Sequence, residues 1–205
     1  MNFTMIFDQK ISELLNSFTF LLQFLTAPKI VGAILPSSPQ LSEVITSWVE
    51  LDKAESVVEF GPGTGAFTRT IKKKLNPHAT FFAIEINLEM VKILNRNFPD
   101  VTVYNDSVVN TPMYLEKHGC TATDCIISGL PWAAFSDDEQ DQILDVVFSN
   151  LKNNGQFVTF TYLQSLLLPS GRKFRKKLCD KFSEVTCSKI VWQNLPPALV
   201  YQARK

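Results

Sequence analysis

The apolar positions of the first 25 residues recur at helical spacing. Phe3, Phe7, Leu14, Phe18, Leu21 and Leu25 share one face, at steps of three or four or sums of them, while Asp8, Gln9, Ser12, Glu13, Asn16 and Ser17 take much of the rest. This predicts a helix over Phe3–Leu25, apolar nearly all round from Phe18 onward and stopped by Pro28. Turn chemistry follows at Pro36, Ser37, Ser38 and Pro39, then a second helix over Leu41–Leu51. Beyond it, short apolar runs alternate with helical periods. Strands are expected at Ser56–Phe60, Thr80–Ile86, Val101–Tyr104, Asp124–Ser128, Gln156–Tyr162, Val185–Val191 and Leu199–Ala203. Helices are expected at Phe67–Leu75, Leu88–Phe98, Asp137–Leu151 and Leu168–Phe182. Near-continuous apolar strands in such alternation imply a parallel sheet covered on both faces. The last two strands have no helix between them and should pair antiparallel.

Composition narrows this picture. A chain of 205 residues, 45% hydrophobic, has enough material for one well-buried domain. We divide it into a helical extension over residues 1–50, a candidate lid or surface element, and an α/β domain over residues 51–205. Net charge is zero, which gives no global argument for nucleic acid. The distribution is uneven: residues 1–171 carry 11 Lys/Arg against 18 Asp/Glu, whereas residues 172–205 carry 9 against 2. Such asymmetry suits either an anionic partner met by one face or a basic helix seated on an acidic body. Cys120, Cys125, Cys179 and Cys187 show no C-x-x-C spacing, and with only His78 and His118 beside them no metal site is expected. Unpatterned cysteines fit a reducing cytosol. The N-terminus lacks the basic region of a signal peptide, and no apolar run is long enough to span a bilayer.

The chemistry concentrates in "VVEFGPGTGAFT", Val57–Thr68. Gly61, Gly63 and Gly65 follow a buried strand and open a helix, where glycine lets the backbone turn tightly and approach a ligand. Glu59 precedes them and would repel a phosphate, but it can accept hydrogen bonds from an ammonium. S-adenosylmethionine has an α-amino group and no phosphate. Glu85 lies 20 residues after Gly65, at the end of the next strand, where a carboxylate binds ribose hydroxyls. Asp106, after the third strand, is placed to accept from an adenine amino group. Taken singly, Glu85 is also an ordinary helix N-terminal carboxylate and Asp106 an ordinary turn residue. The order of all three after a glycine turn points to an S-adenosylmethionine site. Phe60, Ile86, Ser107, Ser128 and Leu130 flank these positions and complete the candidate cofactor set, with Pro36, Ser37, Ser38 and Gly129.

On these residues Leu51–Lys205 resembles the class I S-adenosylmethionine-dependent methyltransferases. The resemblance implies a Rossmann-like α/β fold, with a seven-stranded, mostly parallel sheet between helices and the site at the strand carboxyl ends. Two families in this class share such a motif set with an N-terminal extension. The ribosomal RNA adenine dimethyltransferases carry Asn-Leu-Pro-Tyr after the fourth strand. The corresponding residues here are Gly129, Leu130, Pro131 and Trp132, so the amide that grips adenine is missing. The residues after Gly155 also leave no room for that family's separate RNA-binding domain. The bacterial phospholipid N-methyltransferases are the nearer likeness. "FLTAPKIVGAILPSSPQL", the glycine loop, "SGLPWAAF" and "VWQNLPPALVY" are similar to their segments.

That likeness implies methyl transfer from S-adenosylmethionine to a phospholipid headgroup amine such as that of phosphatidylethanolamine. It implies an enzyme peripheral on the cytoplasmic face of the membrane, with no nucleic-acid partner. An RNA adenine or small-molecule amine acceptor stands as the alternative. The Phe/Leu-rich first helix, with Phe20 and Phe24 on its more polar flank, can lie in the headgroup plane or pack on the core. "GRKFRKKLCDKF" can meet anionic lipid, at about 1 kcal/mol per basic residue. Trp132 is a candidate cation–π wall for the ammonium or a plain hydrophobic lid. Tyr162 is the candidate proton acceptor or a core tyrosine. Ser37 and Ser38 can bind the cofactor carboxylate or simply cap a helix. Gly129, having no side chain, is read as leaving room for an alkyl amine.

Overall fold

The computed structural model describes residues 36–205, and the helix expected at Phe3–Leu25 lies outside them. Helix α1 (Pro39–Ser47) is capped by the Ser38 hydroxyl, which accepts from the Leu41 N–H at 3.1 Å. It ends several residues before the expected Leu51. Strand β1 (Ser56–Phe60) is buried along its whole length and feeds the glycine turn into α2 (Ala66–Lys74). Next come β2 (Thr80–Ile84), α3 (Leu88–Asn97) and β3 (Thr102–Tyr104). A short α4 (Thr111–Lys117) precedes β4 (Thr123–Ser128). Helix α5 (Asp137–Asn150) opens with a full capping box between Ser136 and Glu139. Strand β5 (Leu151–Tyr162), α6 (Pro169–Lys181), β6 (Glu184–Cys187) and β7 (Ala198–Arg204) complete the described chain.

The strands form one seven-stranded sheet in the order β3-β2-β1-β4-β5-β7-β6. Strands β1 to β5 run parallel, and β7 is antiparallel to both β5 and β6, as the missing crossover helix predicted. Two cores cover the faces. One gathers Phe60, Phe82, Phe157 and Trp132 under the α4–α6 side. The other gathers Val57, Ile127, Val158 and Phe67 under α1 and α2. Leu41 and Ile45 of α1 are fully buried in this second core.

Three local features escape the hydrophobic pattern. Helix α4 spans seven residues, too few to display a period, and buries only Thr111, Tyr114 and Leu115. Strand β5 begins five residues earlier than expected, where Asn154 adopts φ 64°. Strand β6 stops at Cys187: the Ser188 N–H still donates to the Val200 carbonyl, but its hydroxyl, not a backbone carbonyl, takes the Val200 N–H at 2.9 Å, and the next bridge is Val191–Ala198.

The charge asymmetry has a local explanation. Lys173, Lys177 and Lys181 recur every four residues along α6, and Asp137, Asp141 and Asp145 do the same along α5. The two rows pair as Lys173–Asp137, Lys177–Asp141 and Lys181–Asp145. Lys176 pairs with Asp180. Arg172 donates to the carbonyls of Leu166 and Leu167. The basic helix is therefore seated on an acidic neighbour, and its lysines are not a preformed patch for anionic lipid.

Because α1 seals one face of the sheet, truncating its buried anchor should weaken the whole domain. Ile45→Ala is expected to lower unfolding free energy by about 2–5 kcal/mol, measured by urea titration.

Candidate active site

At the carboxyl end of β1 the chain turns through Gly61, Gly63 and Gly65, with φ of 59°, 56° and 89°. Backbone hydrogen bonds tie this turn to both neighbouring strands. The Gly61 N–H donates to the Ile84 carbonyl at 2.9 Å, and the Gly129 N–H donates to the Phe60 carbonyl at 2.7 Å. The Gly63 N–H donates to the Glu85 carboxylate at 3.1 Å. A Cβ on Gly63 would meet nothing within 4 Å, so the tip of the turn opens onto free space.

Two carboxyl groups stand beneath this opening. Glu59 is fully buried; its Oε2 accepts from the Thr68 hydroxyl at 2.7 Å, while its Oε1 has no partner among the described residues. Burial pushes its carboxyl up to about 8. An acceptor left without a donor in such a place costs about 1–3 kcal/mol. Glu85, 7% exposed, accepts from the N–H groups of Gly63 and Asn87. Burial raises its carboxyl above the usual range, against the pull of those N–H donors. Asn105 holds the chain beside it by donating to the carbonyls of Glu85 and Ile86. Ile86 follows with its side chain 75% exposed.

Asp106 lies one strand further out. Its carboxylate accepts from the Ser107 N–H, the Asn110 amide and the Tyr114 hydroxyl, which holds it below the ordinary aspartate range. Tyr114 is itself braced by stacking on Tyr104 at 3.8 Å between ring centroids. Asp106 stands where an adenine acceptor was expected, but Asn110 must yield a bond before a ligand can donate to it. Ser107 caps the short turn that follows. Ser128 is buried, and its hydroxyl accepts from the Leu130 N–H. Phe60 is wholly core.

Several expected roles change. Gly129 is not an opening left for an amine. A Cβ there would sit 2.5 Å from the Gly61 carbonyl oxygen, so the missing side chain lets two loops cross. Trp132 is not a cation wall, because its indole is 2% exposed, donates to the Thr159 hydroxyl at 2.8 Å and stacks on Phe174. Tyr162 does not suit the role of a base. Burial pushes its phenol up to about 12, so it stays protonated at neutral pH. Ser38 uses its hydroxyl as a helix cap and gives its N–H to Asn194. Ser37 is half-buried beside it and Pro36 is exposed.

The glycine turn, Glu59, Glu85, Asp106, Gly129 and Leu130 are thus brought to the ends of four adjacent strands, β3-β2-β1-β4. Tyr162, Ser37 and Ser38 stand towards β5, and Trp132 is withdrawn into the core. Thr68, Asn105, Asn110, Tyr114 and Gln164 were missed. Only Thr68 had a usable signal, one helical turn into the helix that the glycines open.

Comparison with known proteins agrees with this geometry. The methyltransferase domain family matches residues 57–155. An ornithine lipid N-methyltransferase from Singulisphaera acidiphila is 29% identical over 192 residues, covering 91% of this chain and 95% of that one. The ribosomal RNA small subunit methyltransferase A of Streptococcus sanguinis is 32% identical over 97 residues, covering 45% of this chain and 32% of that protein. The crystal structure of an O-methyltransferase from Bacillus cereus in complex with SAH superposes with a TM-score of 0.68, at 13% identity, over 98% of this chain and 97% of that one. The chain is a class I S-adenosylmethionine-dependent methyltransferase. Its methyl donor is S-adenosylmethionine.

The residues present fit that donor. The orphaned Glu59 oxygen calls for an N–H donor, and the open tip at Gly63 leaves space for one to arrive. Glu59 keeps its proton up to about pH 8 in the folded, ligand-free protein but ionises in the usual carboxylate range when unfolded. Unfolding therefore releases a proton between about pH 5 and pH 8, and ligand-free stability should fall as pH rises, by up to about 1.4 kcal/mol per unit. Glu59→Gln should flatten this slope in thermal melts across the same window. The variant should also weaken S-adenosylmethionine binding by about tenfold or more, measured by calorimetry. Gly129→Ala should lower stability by about 2–3 kcal/mol and loosen the same ligand, since the two loops must separate.

Proposed function

We propose that this enzyme methylates the amine of a polar-lipid headgroup at a membrane surface, with phosphatidylethanolamine and ornithine lipid as the leading acceptors. The observation that carries this reading is the end-to-end likeness to the ornithine lipid enzyme, which spans both chains almost completely. The ribosomal RNA relative matches less than half of this chain, and the amide expected at an adenine grip is replaced by Gly129.

The rim of the site supports a lipid. Ile86 and Leu88 follow β2, Leu167 follows β5, and Trp192 and Leu195 precede β7, which begins beside the end of β5. All five large apolar side chains are more than half exposed, and all lie at the carboxyl-end side of the sheet. Apolar groups gathered around a mouth are suited to contact with a headgroup layer. Among the described residues no helix is long and apolar enough to cross a membrane. We assign the apolar positions of the Phe3–Leu25 sequence to the same plane, at the cytoplasmic leaflet, and keep a lid role only for the sequence before α1, since α1 itself packs into the core.

In this reading Glu59 accepts from the donor's ammonium, Glu85 from its ribose hydroxyls, and Asp106 from its adenine. Gly61, Gly63 and Gly65 let the backbone approach, and Ile86 and Leu130 offer apolar walls. Pro36, Ser37 and Ser38 flank the β5 side. S-adenosylmethionine supplies an electron-poor methyl carbon, to which an amine lone pair bonds in line as the carbon–sulfur bond breaks. An alkyl ammonium has a pKa of about 10.4 and must first lose its proton. The apolar mouth lowers that value by desolvation, and water takes the proton. The protonated Tyr162 cannot take it, but its phenol oxygen can face the amine.

Incubation with methyl-labelled S-adenosylmethionine, phosphatidylethanolamine or ornithine lipid vesicles and ribosomal RNA tests this reading. Label is expected in the lipid fraction on chromatography. Label in RNA alone would overturn the proposal in favour of the adenine reaction.

A further inference from the structure

Gln164 sits two residues beyond β5, in the short turn Leu163–Leu167. It is 8% exposed, and neither Oε1 nor Nε2 has a hydrogen-bond partner among the described residues. In this it differs from Gln140, the other buried glutamine without full partners, which spends its Nε2 on the Trp132 carbonyl. Folding has taken both ends of the Gln164 amide out of water and returned nothing, an arrangement native proteins rarely keep without a reason.

Its position suggests the reason. Strand β4 ends at Ser128, opposite Thr159, so β5 and the turn after it continue past the β4 exit. In open α/β sheets ligands lie outside the carboxyl ends of the strands. The turn is firmly seated there. The Leu163 N–H donates to the Pro197 carbonyl at 2.8 Å, and α6 packs so closely that a Cβ on Gly171 would sit 2.0 Å from the Ser165 carbonyl oxygen. Gly129 brings no amide to this end of the sheet, whereas Gln164 holds a buried one in the turn just beyond the neighbouring strand.

We infer that Gln164 recognises the methyl acceptor, and thereby biases how many methyl groups are added; this rests on the lipid-amine reading above. The Oε1 atom accepts an N–H of the neutral amine and turns its lone pair towards the donor. Nε2 donates to an oxygen of the same headgroup. Both amide atoms are closed to solvent in the empty protein, so the acceptor meets them when the Gln164 side chain rotates outward while the turn keeps its seat. Each transfer forms a carbon–nitrogen bond and leaves an ammonium, which gives one proton to water before the next round. Neutral primary and secondary amines still carry an N–H for Oε1. A tertiary amine has none, so Gln164 helps the first two transfers and not the third.

The test is Gln164→Leu, which removes the amide without adding bulk, with Gln164→Met as a second variant. kcat/KM is measured on vesicles of the phospholipid carrying a primary amine and of the same lipid carrying its dimethylated amine. The primary-amine value is expected to fall at least tenfold and the dimethylated value less than threefold. Tm and S-adenosylmethionine affinity are expected to hold or rise, because an unpaired buried amide has gone. Equal losses on the two lipids, or a lower Tm in both variants, would overturn the inference and mark Gln164 as structural. The same pair is run on ornithine lipid, and wild-type enzyme that methylates neither the phospholipid nor ornithine lipid would overturn the lipid reading itself, and this inference with it.

Discussion

Two loops cross at the carboxyl ends of β1 and β4 with no space between them for a side chain. The Gly129 N–H reaches the Phe60 carbonyl, and a Cβ at Gly129 would press into the Gly61 carbonyl oxygen. Close backbone approach of this kind needs glycine. It holds the glycine turn over the end of the central strand, sets Leu130 against Gly61, and leaves the tip at Gly63 open. The cofactor residues converge because of this crossing, not because each is independently rigid.

Beneath the crossing the protein keeps two carboxyl groups in a dry place. Glu59 and Glu85 are both buried, and burial raises both carboxyls. A charged acceptor in such surroundings is unfavourable until an opposite charge or a donor arrives. On the proposed assignment the methyl donor brings both, as an ammonium and a sulfonium, and stability forgone in the empty protein is recovered on binding, a common balance at functional sites.

The molecule's polarity is likewise organised by neighbours. A row of lysines on α6 looked suited to anionic lipid, but it meets an aspartate row of the same four-residue period on α5. Exposed pairs of this sort contribute little each. The features left for a lipid surface are the apolar side chains at the mouth, on loops that the sheet itself collects at one end. On the proposed reading, lipid contact and catalysis share one face.

The sequence by itself determined the order of elements: seven strands, mostly parallel, a glycine turn after the first, and acidic residues at or just beyond the ends of the first three. Hydrophobic period and turn chemistry are local properties, so these were legible, whereas the seven-residue α4 and several element ends, those of α1, β2, β5 and β6 among them, were not. Side-chain direction and pairing were decided by the tertiary structure. Trp132 reads as exposed chemistry in a loop, yet Thr159 and Phe174, distant in sequence, draw it into the core. Tyr162 reads as a base until burial fixes its proton. Gly129 reads as a missing amide until Gly61 is seen above it. Gln164 carries no sequence signal at all, because an unpaired amide is defined only by what fails to surround it. Periodicity records which residues avoid water; partners brought from elsewhere in the chain decide what each polar group can still do.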